Sequence, residues 1–236
     1  MKTRSDSGPV LDKGDVLLEA RGLSKGFPGV WEHLILDKLD FDVRSGEVHT
    51  LLGENGAGKT VIANILSGYY EKTEGEIRVK GKIVHFHSPR EGLAHGIAMV
   101  HQELMLVPAF TVAENIMVGL DAPLFSYGIA GVEKRIQKLV ERYGLQVDPK
   151  ARVEDLSAGQ QQRVEILKVL FHEPEVLLLD EPTSLLTPSE ADQLFVVLRA
   201  MADDGKGIVF ISHKMREVFA VSDRVTVLKL GKTQGT

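Results

Sequence analysis

Residues 53 to 60 read Gly53-Glu54-Asn55-Gly56-Ala57-Gly58-Lys59-Thr60, which fits the phosphate-loop pattern G-x-x-x-x-G-K-[ST] at every fixed position. Such a loop constrains the fold because it works only between a strand and a helix. Both flanks are present: Glu47 to Leu52 is a short apolar strand, and Val61 to Leu66 continues with the apolar spacing of a helix. The glycines let backbone N–H groups turn inward around phosphate oxygens, and the helix adds its partly positive N-terminal end. Lys59 then reaches the outer phosphates, and the Thr60 hydroxyl is placed to ligate Mg²⁺. A Gly-rich turn with one exposed lysine would read the same over these residues, so the rest of the chain decides.

Val16 to Leu23, Leu34 to Leu36 and Phe41 to Val43 read as strands ahead of the loop. Glu76–Val79 and Lys82–Val84, split by Lys80-Gly81, read as a hairpin, and Ser88-Pro89 opens a short helix before a strand over Ile97 to Val100. From Thr111 to Gly144 the pattern is helical, with breaks at Leu120-Asp121-Ala122-Pro123 and Tyr127-Gly128, and Glu133 to Arg142 is its clearest amphipathic piece. This predicts an all-helical lobe inserted at about residues 104–172. Ser157 starts a helix to about Phe171, after which strands Glu175–Leu179, Ile208–Ile211 and Arg224–Leu228 alternate with helices at Pro188–Ala202 and from Lys214. Near-continuous apolar strands alternating with helices imply a parallel sheet covered on both faces. Residues 1–14, polar with Gly and Pro, read as a disordered tail, leaving 15–236 as one unit.

The 236 residues are 43% hydrophobic, enough to bury a substantial core. Basic and acidic residues, 28 and 33, are mixed along the chain for a net charge of -5, without the basic stripe of a nucleic-acid binder. The absence of cysteine excludes disulfides, thiolate metal sites and a thiol nucleophile, and fits a reducing compartment. Apolar runs such as Val176–Leu179 fall far short of the roughly 18 residues of a membrane span. Met1 to Pro9 has no apolar core of a signal peptide.

Asp180 and Glu181 follow the buried strand at its C-terminal edge, where parallel sheets bind ligands. Asp180 is the candidate metal contact, and Glu181 is placed to accept a proton from an attacking water or polarise it. His213 follows the next strand through Ser212, at the same edge, where an imidazole can bond the γ-phosphate and hold that water. Gln102, just past a strand, can touch metal or water and report occupancy to the helical lobe. Ser157 is a good N-cap, so Ser157-Ala158-Gly159-Gln160 is a second helix start able to bind an anion, or simply a capped helix. Phe27 is the candidate for stacking on a nucleotide base, with Trp31 as a rival and packing of Phe27 on its own strand as the alternative.

In order and spacing, the loop 53–60, Gln102, Ser157 to Gln160, Asp180-Glu181 and His213 together resemble an ABC-type ATPase domain over nearly the whole chain, from about Leu17 to Lys232. The resemblance implies an α/β P-loop NTPase with a parallel-sheet core, an antiparallel β subdomain and the helical lobe, using ATP and Mg²⁺. It implies nucleotide contacts from Gly53, Glu54, Asn55, Gly56, Ala57, Gly58, Lys59, Thr60 and Val61. Ser157, Gly159 and Gln160 would act on ATP held by a second nucleotide-binding domain, whether in the same polypeptide or as a homodimer.

Val100 to Glu103, Thr111 to Ile116, Glu181 to Pro188 and Ile211 to Lys214 look like the ATP-binding proteins of bacterial sugar and nucleoside importers of the ribose type. That branch implies ATP hydrolysis at the cytoplasmic face of the membrane. Its partners would be transmembrane permease subunits, with a periplasmic or extracellular solute-binding protein acting indirectly. Members usually carry two such domains, so the chain reads as the N-terminal half of a longer protein. Three residues depart from the usual pattern: Ala158 in place of a first Gly, Thr187 in place of an Asp, and Val61 in place of a hydroxyl. Two other readings are a regulatory half that scarcely hydrolyses ATP, against which Lys59, Asp180, Glu181 and His213 argue, and a DNA-repair or chromosome ATPase, which would carry long heptad coiled coils.

Overall fold

The computed structural model describes residues 12–27, 34–120 and 128–236. Two sheets carry the fold. The first is antiparallel, in the order β2-β1-β4-β5, formed by β1 (Val16–Lys25), β2 (Leu36–Arg44), β4 (Glu74–Val79) and β5 (Lys82–Val84). The second is six-stranded, in the order β10-β9-β3-β8-β7-β6: β3 (Val48–Leu52), β6 (Ile97–Val100), β7 (Val176–Asp180), β8 (Gly207–Ser212), β9 (Arg224–Lys229) and β10 (Lys232–Gly235). Its strands are parallel except for the β9–β10 pair.

The parallel strands are buried on both faces because their side chains divide between two cores. Leu177 and Leu179 of β7, Ile208 and Phe210 of β8, and Ala98 and Val100 of β6 pack in one cluster. Helices α4 (Gly128–Tyr143), α5 (Ala158–Leu170) and α6 (Pro188–Asp203) supply its other side, through residues such as Ile136, Leu167 and Leu198. The alternate residues Val176, Leu178, Val209, Ile211, Ile97 and Met99 face a second cluster shared with helix α1 (Lys59–Leu66) and the antiparallel sheet. Period-two alternation therefore sends one apolar run into two cores. Arg224 of β9 joins the sheets, donating to both carboxylate oxygens of Asp42 at 2.7 and 2.9 Å and to Glu47 at 2.7 Å.

The expected architecture is borne out: parallel core, antiparallel sheet and inserted helices. Corrections are local. Arg224–Leu228 is not the last strand, since β10 pairs with it. β10 is polar (Lys-Thr-Gln-Gly) and needs only backbone pairing at a sheet edge, so it lacks an apolar signature. The inserted lobe is helical as expected, its helices joined by irregular chain. Between α3 (Val112–Val118), α4 and α5, the chain over 144–157 is irregular, with one 3₁₀ turn at Val153–Asp155 and a bridge from Thr111 to Arg152. Helix α4 buries Val132, Ile136 and Tyr143, the stripe expected of its amphipathic pattern. Ser88 caps α2 (Pro89–Ala94) as its position before Pro89 suggests. Gly14, assigned to the tail by composition, already donates to Ser45 O at 2.9 Å. Residues 1–11, Trp31 and the breaks at Asp121–Pro123 and Tyr127 lie outside the described residues.

Candidate active site

The loop between β3 and α1 closes tightly because its glycines accept what side chains would not. Gly58 caps α1 at φ 103°, and a Cβ there would come within 2.7 Å of Leu36 Cδ2. A Cβ on Gly53 would lie 2.5 Å from Leu228 O. With both positions bare, the loop packs against β9 and the start of β2 and leaves the α1 N-terminus open to an anion.

Lys59 is 5% exposed, and its ammonium donates to Gly53 O (2.8 Å) and Glu54 O (3.1 Å) while lying 3.7 Å from Glu181 Oε1. The charge is thus held at the mouth of the loop by groups that phosphate oxygens can replace. The cleft encloses about 580 Å³ and is lined by Asn55, Gly56, Gly58, Lys59, Thr60 and Val61, together with Gln102 and Glu181. Leu34, Ile35 and Leu230 give it an apolar wall.

Asp180 ends β7 at 2% exposure. Burial pushes its carboxyl up, and the neighbouring Glu181 adds to the rise, against the opposing hydrogen bond from Thr60 and the charge of Lys59. Its Oδ1 is buried with no hydrogen-bond partner. An orphaned carboxylate oxygen is costly, and a cation satisfies it. One carboxylate, the Thr60 hydroxyl and the exposed Gln102 amide form a sparse oxygen set, which suits Mg²⁺ because that ion keeps waters and phosphate oxygens in its shell. Among the described residues no group of three or more His, Cys, Asp or Glu side chains gathers into a fuller cage.

Glu181 has φ 46°, a left-handed conformation that costs a non-glycine residue roughly 1–3 kcal/mol. Its N–H donates to Ile211 O at 3.1 Å, and its Oε1 accepts from His213 Nδ1 at 3.1 Å. A carboxylate only accepts, so this bond places the proton on Nδ1. The structure therefore brings the loop, Gln102, Asp180, Glu181 and His213 to one sheet edge, as expected.

Two further candidates lie away from this cleft, one of them the segment expected to act on ATP held by a second domain. Ser157, Gly159 and Gln160 do not line this cleft. Ser157 caps α5 in a reciprocal box with Gln160, whose N–H donates to Ser157 Oγ at 3.3 Å. Ser157 Oγ also donates to Glu190 Oε1 at 3.3 Å, and the Gly159 amide hydrogen-bonds the same carboxylate. A Cβ on Gly159 would lie 2.6 Å from Glu190 Oε1. The segment thus binds an anion, but an internal one. Phe27 also stays off the cleft. Its ring meets Tyr70 edge-on at 5.5 Å between centroids, and Lys25 Nζ lies 4.7 Å from the ring centroid.

Sequence reasoning missed Leu34, Ile35 and Leu230, which converge from separate elements. It also missed Glu190, although Thr187-Pro188-Ser189-Glu190 is a readable capping box, and in α6 it is one: Glu190 N–H donates to Thr187 Oγ1 at 3.3 Å.

The ABC transporter family profile matches residues 36–184. The chain is 48% identical over 201 residues to the nucleoside import ATP-binding protein NupA of Lactococcus lactis subsp. cremoris, covering 85% of this chain and 40% of that protein. It is 44% identical over 248 aligned positions to the glucose import ATP-binding protein TsgD13 of Haloferax volcanii, covering 93% of this chain and 44% of that protein. A solved nucleotide-free ATP-binding cassette from an ABC transporter superposes with a TM-score of 0.82 at 25% identity, over 93% of this chain and 90% of the other. The chain spans less than half the length of the two curated relatives. With the phosphate loop, the acidic strand end and the cassette fold in one unit, the chain belongs to the ABC transporter family.

Proposed function

We propose that this chain binds and hydrolyses ATP and so powers import of a sugar or nucleoside through a membrane ABC transporter. The observation that carries this reading is the pairing of buried Lys59 with Glu181 at 3.7 Å, beside the partnerless Asp180 Oδ1. The loop amides and the α1 N-terminus cradle the phosphates, and Lys59 exchanges its carbonyl partners for outer phosphate oxygens. Thr60, Asp180 and Gln102 would hold Mg²⁺, which when bound neutralises charge on the β- and γ-phosphate oxygens. Glu181 takes or polarises the proton of the attacking water. His213 orients Glu181 through its Nδ1–H and leaves Nε2 to address the γ-phosphate. Leu34, Ile35 and Leu230 offer an apolar wall beside the nucleotide.

Ser157 and Gly159, off their own cleft, act on ATP held by a second nucleotide-binding domain, in the same polypeptide or in a second copy. Among the described residues no helix is long and apolar enough to cross a membrane. The relatives' printed role as import ATP-binding proteins supports placing the domain at the cytoplasmic face against permease subunits, with solute-binding protein further upstream. The relatives' printed functions, nucleoside and glucose import, support the solute class.

Equilibrium ATP binding with and without Mg²⁺ tests the site. Lys59→Ala is expected to weaken binding at least about tenfold, and Asp180→Asn to remove most of the Mg²⁺ dependence. Wild-type affinity in Lys59→Ala would overturn the reading. In cells, Glu181→Gln in the full-length protein is expected to abolish uptake of labelled ribose or nucleoside.

A further inference from the structure

One buried carboxylate that has no part in the chemistry above ties together the two loops that perform it. Glu217 lies in the first turn of α7 (Met215–Val221) and is 7% exposed. Its Oε2 accepts from Thr183 Oγ1 at 2.7 Å and from Ser212 Oγ at 2.8 Å, and its Oε1 lies 3.0 Å from Lys214 Nζ. Lys214 Nζ in turn donates to Thr183 O at 3.2 Å, and Lys214 N–H donates to Ser212 Oγ at 3.1 Å. Thr183 follows Glu181 by two residues on the β7 loop. Ser212 ends β8 and Lys214 follows it, so the two flank His213.

We propose that Glu217 is a positioning residue for ATP hydrolysis, clamping these two loops so that Glu181 and His213 keep their 3.1 Å bond. The proposal rests on the ATPase reading above. Three considerations carry it. Glu181 sits in a left-handed conformation, which persists only where the surroundings over-determine it. Thr183, 2% exposed, is gripped at both its hydroxyl and its carbonyl, so the strained turn is fixed two residues downstream. Charge-assisted hydrogen bonds in a buried setting are roughly twice as strong as neutral ones. The clamp is also anchored, because Val218 and Val221 seat α7 in the body at 3% and 2% exposure. Catalytic geometry is steep in position: a displacement of about 1 Å can cost roughly 100-fold in rate.

Two readouts test the clamp. Amide hydrogen exchange on wild type, Glu217→Ala, Glu217→Gln and Thr183→Val is read at Glu181, Ser184 and Lys214. In Glu217→Ala these amides are expected to exchange at least about tenfold faster while loop amides 53–60 do not change. Glu217→Gln keeps an acceptor of the same shape and is expected to recover most of the protection. Thr183→Val removes one arm without touching α7, and so decides the matter if Glu217→Ala does not fold.

In full-length protein, Glu217→Ala is expected to lower kcat about 10- to 100-fold with KM for Mg-ATP within about threefold. The same change in a His213→Ala background is expected to cost little more, since both act on one arrangement. Unchanged exchange at Glu181 and Lys214, faster exchange spread evenly over α7 and β8, or wild-type kcat in Glu217→Ala would each overturn the proposal. If wild type itself released no phosphate, the ATPase reading would fall, and the exchange pattern would still decide the clamp.

Discussion

Asp180 shows how function and stability pull apart at a single side chain. Burial raises its carboxyl above the usual range, so the folded chain holds that proton more tightly than the unfolded chain does. The sign follows: above its folded pKa the ionised residue works against folding, and acidification through that pKa removes the penalty. Asp180→Asn is expected to stabilise the nucleotide-free domain by about 1 kcal/mol, roughly 2–4 °C in Tm for a chain of this size, while weakening Mg-ATP binding. Differential scanning calorimetry without nucleotide checks it, and an unchanged or lower Tm would count against the orphaned oxygen. The same residue was legible beforehand, because Val176–Leu179 running into Asp180-Glu181 announces a buried strand ending in acid. What the sequence did not reveal was the left-handed turn at Glu181, whose N–H donates to Ile211 O and whose carbonyl accepts from Ser184 N–H.

Helix starts are the elements on which the segment Ser157 to Gln160 depends. Ser157 caps α5 and donates to Glu190, whose carboxylate also accepts from Thr187 N–H at the start of α6, so one carboxylate serves two helix ends. Ser157→Ala is expected to cost about 1 kcal/mol of stability through the lost cap. It should leave ATP affinity at the Lys59 cleft within about twofold, because this segment does not line it. Turnover by the paired domains should fall, and an equal loss of binding at low protein concentration would place Ser157 in its own cleft instead. The cap could be read from Ser157 and Gln160; the second role of Glu190 could not, because it needs α5 and α6 side by side. Phe27 could be read as an aromatic at a suggestive position, but its contact with Tyr70 could not, because Tyr70 lies beyond α1.

Strand β3 carries a pH-sensitive element. His49 is fully buried, stacked on Phe41, its Nδ1–H donating to Asp42 O at 2.7 Å while Nε2 accepts from Thr226 Oγ1 at 2.8 Å. Burial, helped by the charge of Arg224, lowers its pKa against the pull of the Asp42 carbonyl. It is therefore neutral, and Glu47 Oε1 at 3.9 Å is no ion-pair partner. The unfolded chain protonates this residue more readily, so its contribution is present above about pH 6.5 and is lost as pH falls below that value. His49→Gln is expected to flatten the slope of unfolding free energy between about pH 6.5 and 5, read by urea titration. His101, lowered mainly by burial, acts in the same direction, so part of the slope remains.

At the scale of the whole molecule, the parallel core was legible because β7 and β8 are unbroken apolar runs, which only a sheet covered on both faces accommodates. Strand order was not: β3 lies between β8 and β9, pairings that span most of the chain and leave no local trace. The cleft divides along the same line. Its floor is one contiguous motif, while its wall joins Leu34 and Ile35 to Leu230 from the β9–β10 turn.

The most direct test is steady-state phosphate release with Mg-ATP over a range of protein concentrations, beside Glu181→Gln. Turnover is expected to rise faster than linearly with concentration, as a site completed by a second domain requires, and to fall by about 10²- to 10⁴-fold in the variant. Release by Glu181→Gln at the wild-type rate would contradict the assignment of Glu181, and with it the proposal that this cleft hydrolyses ATP.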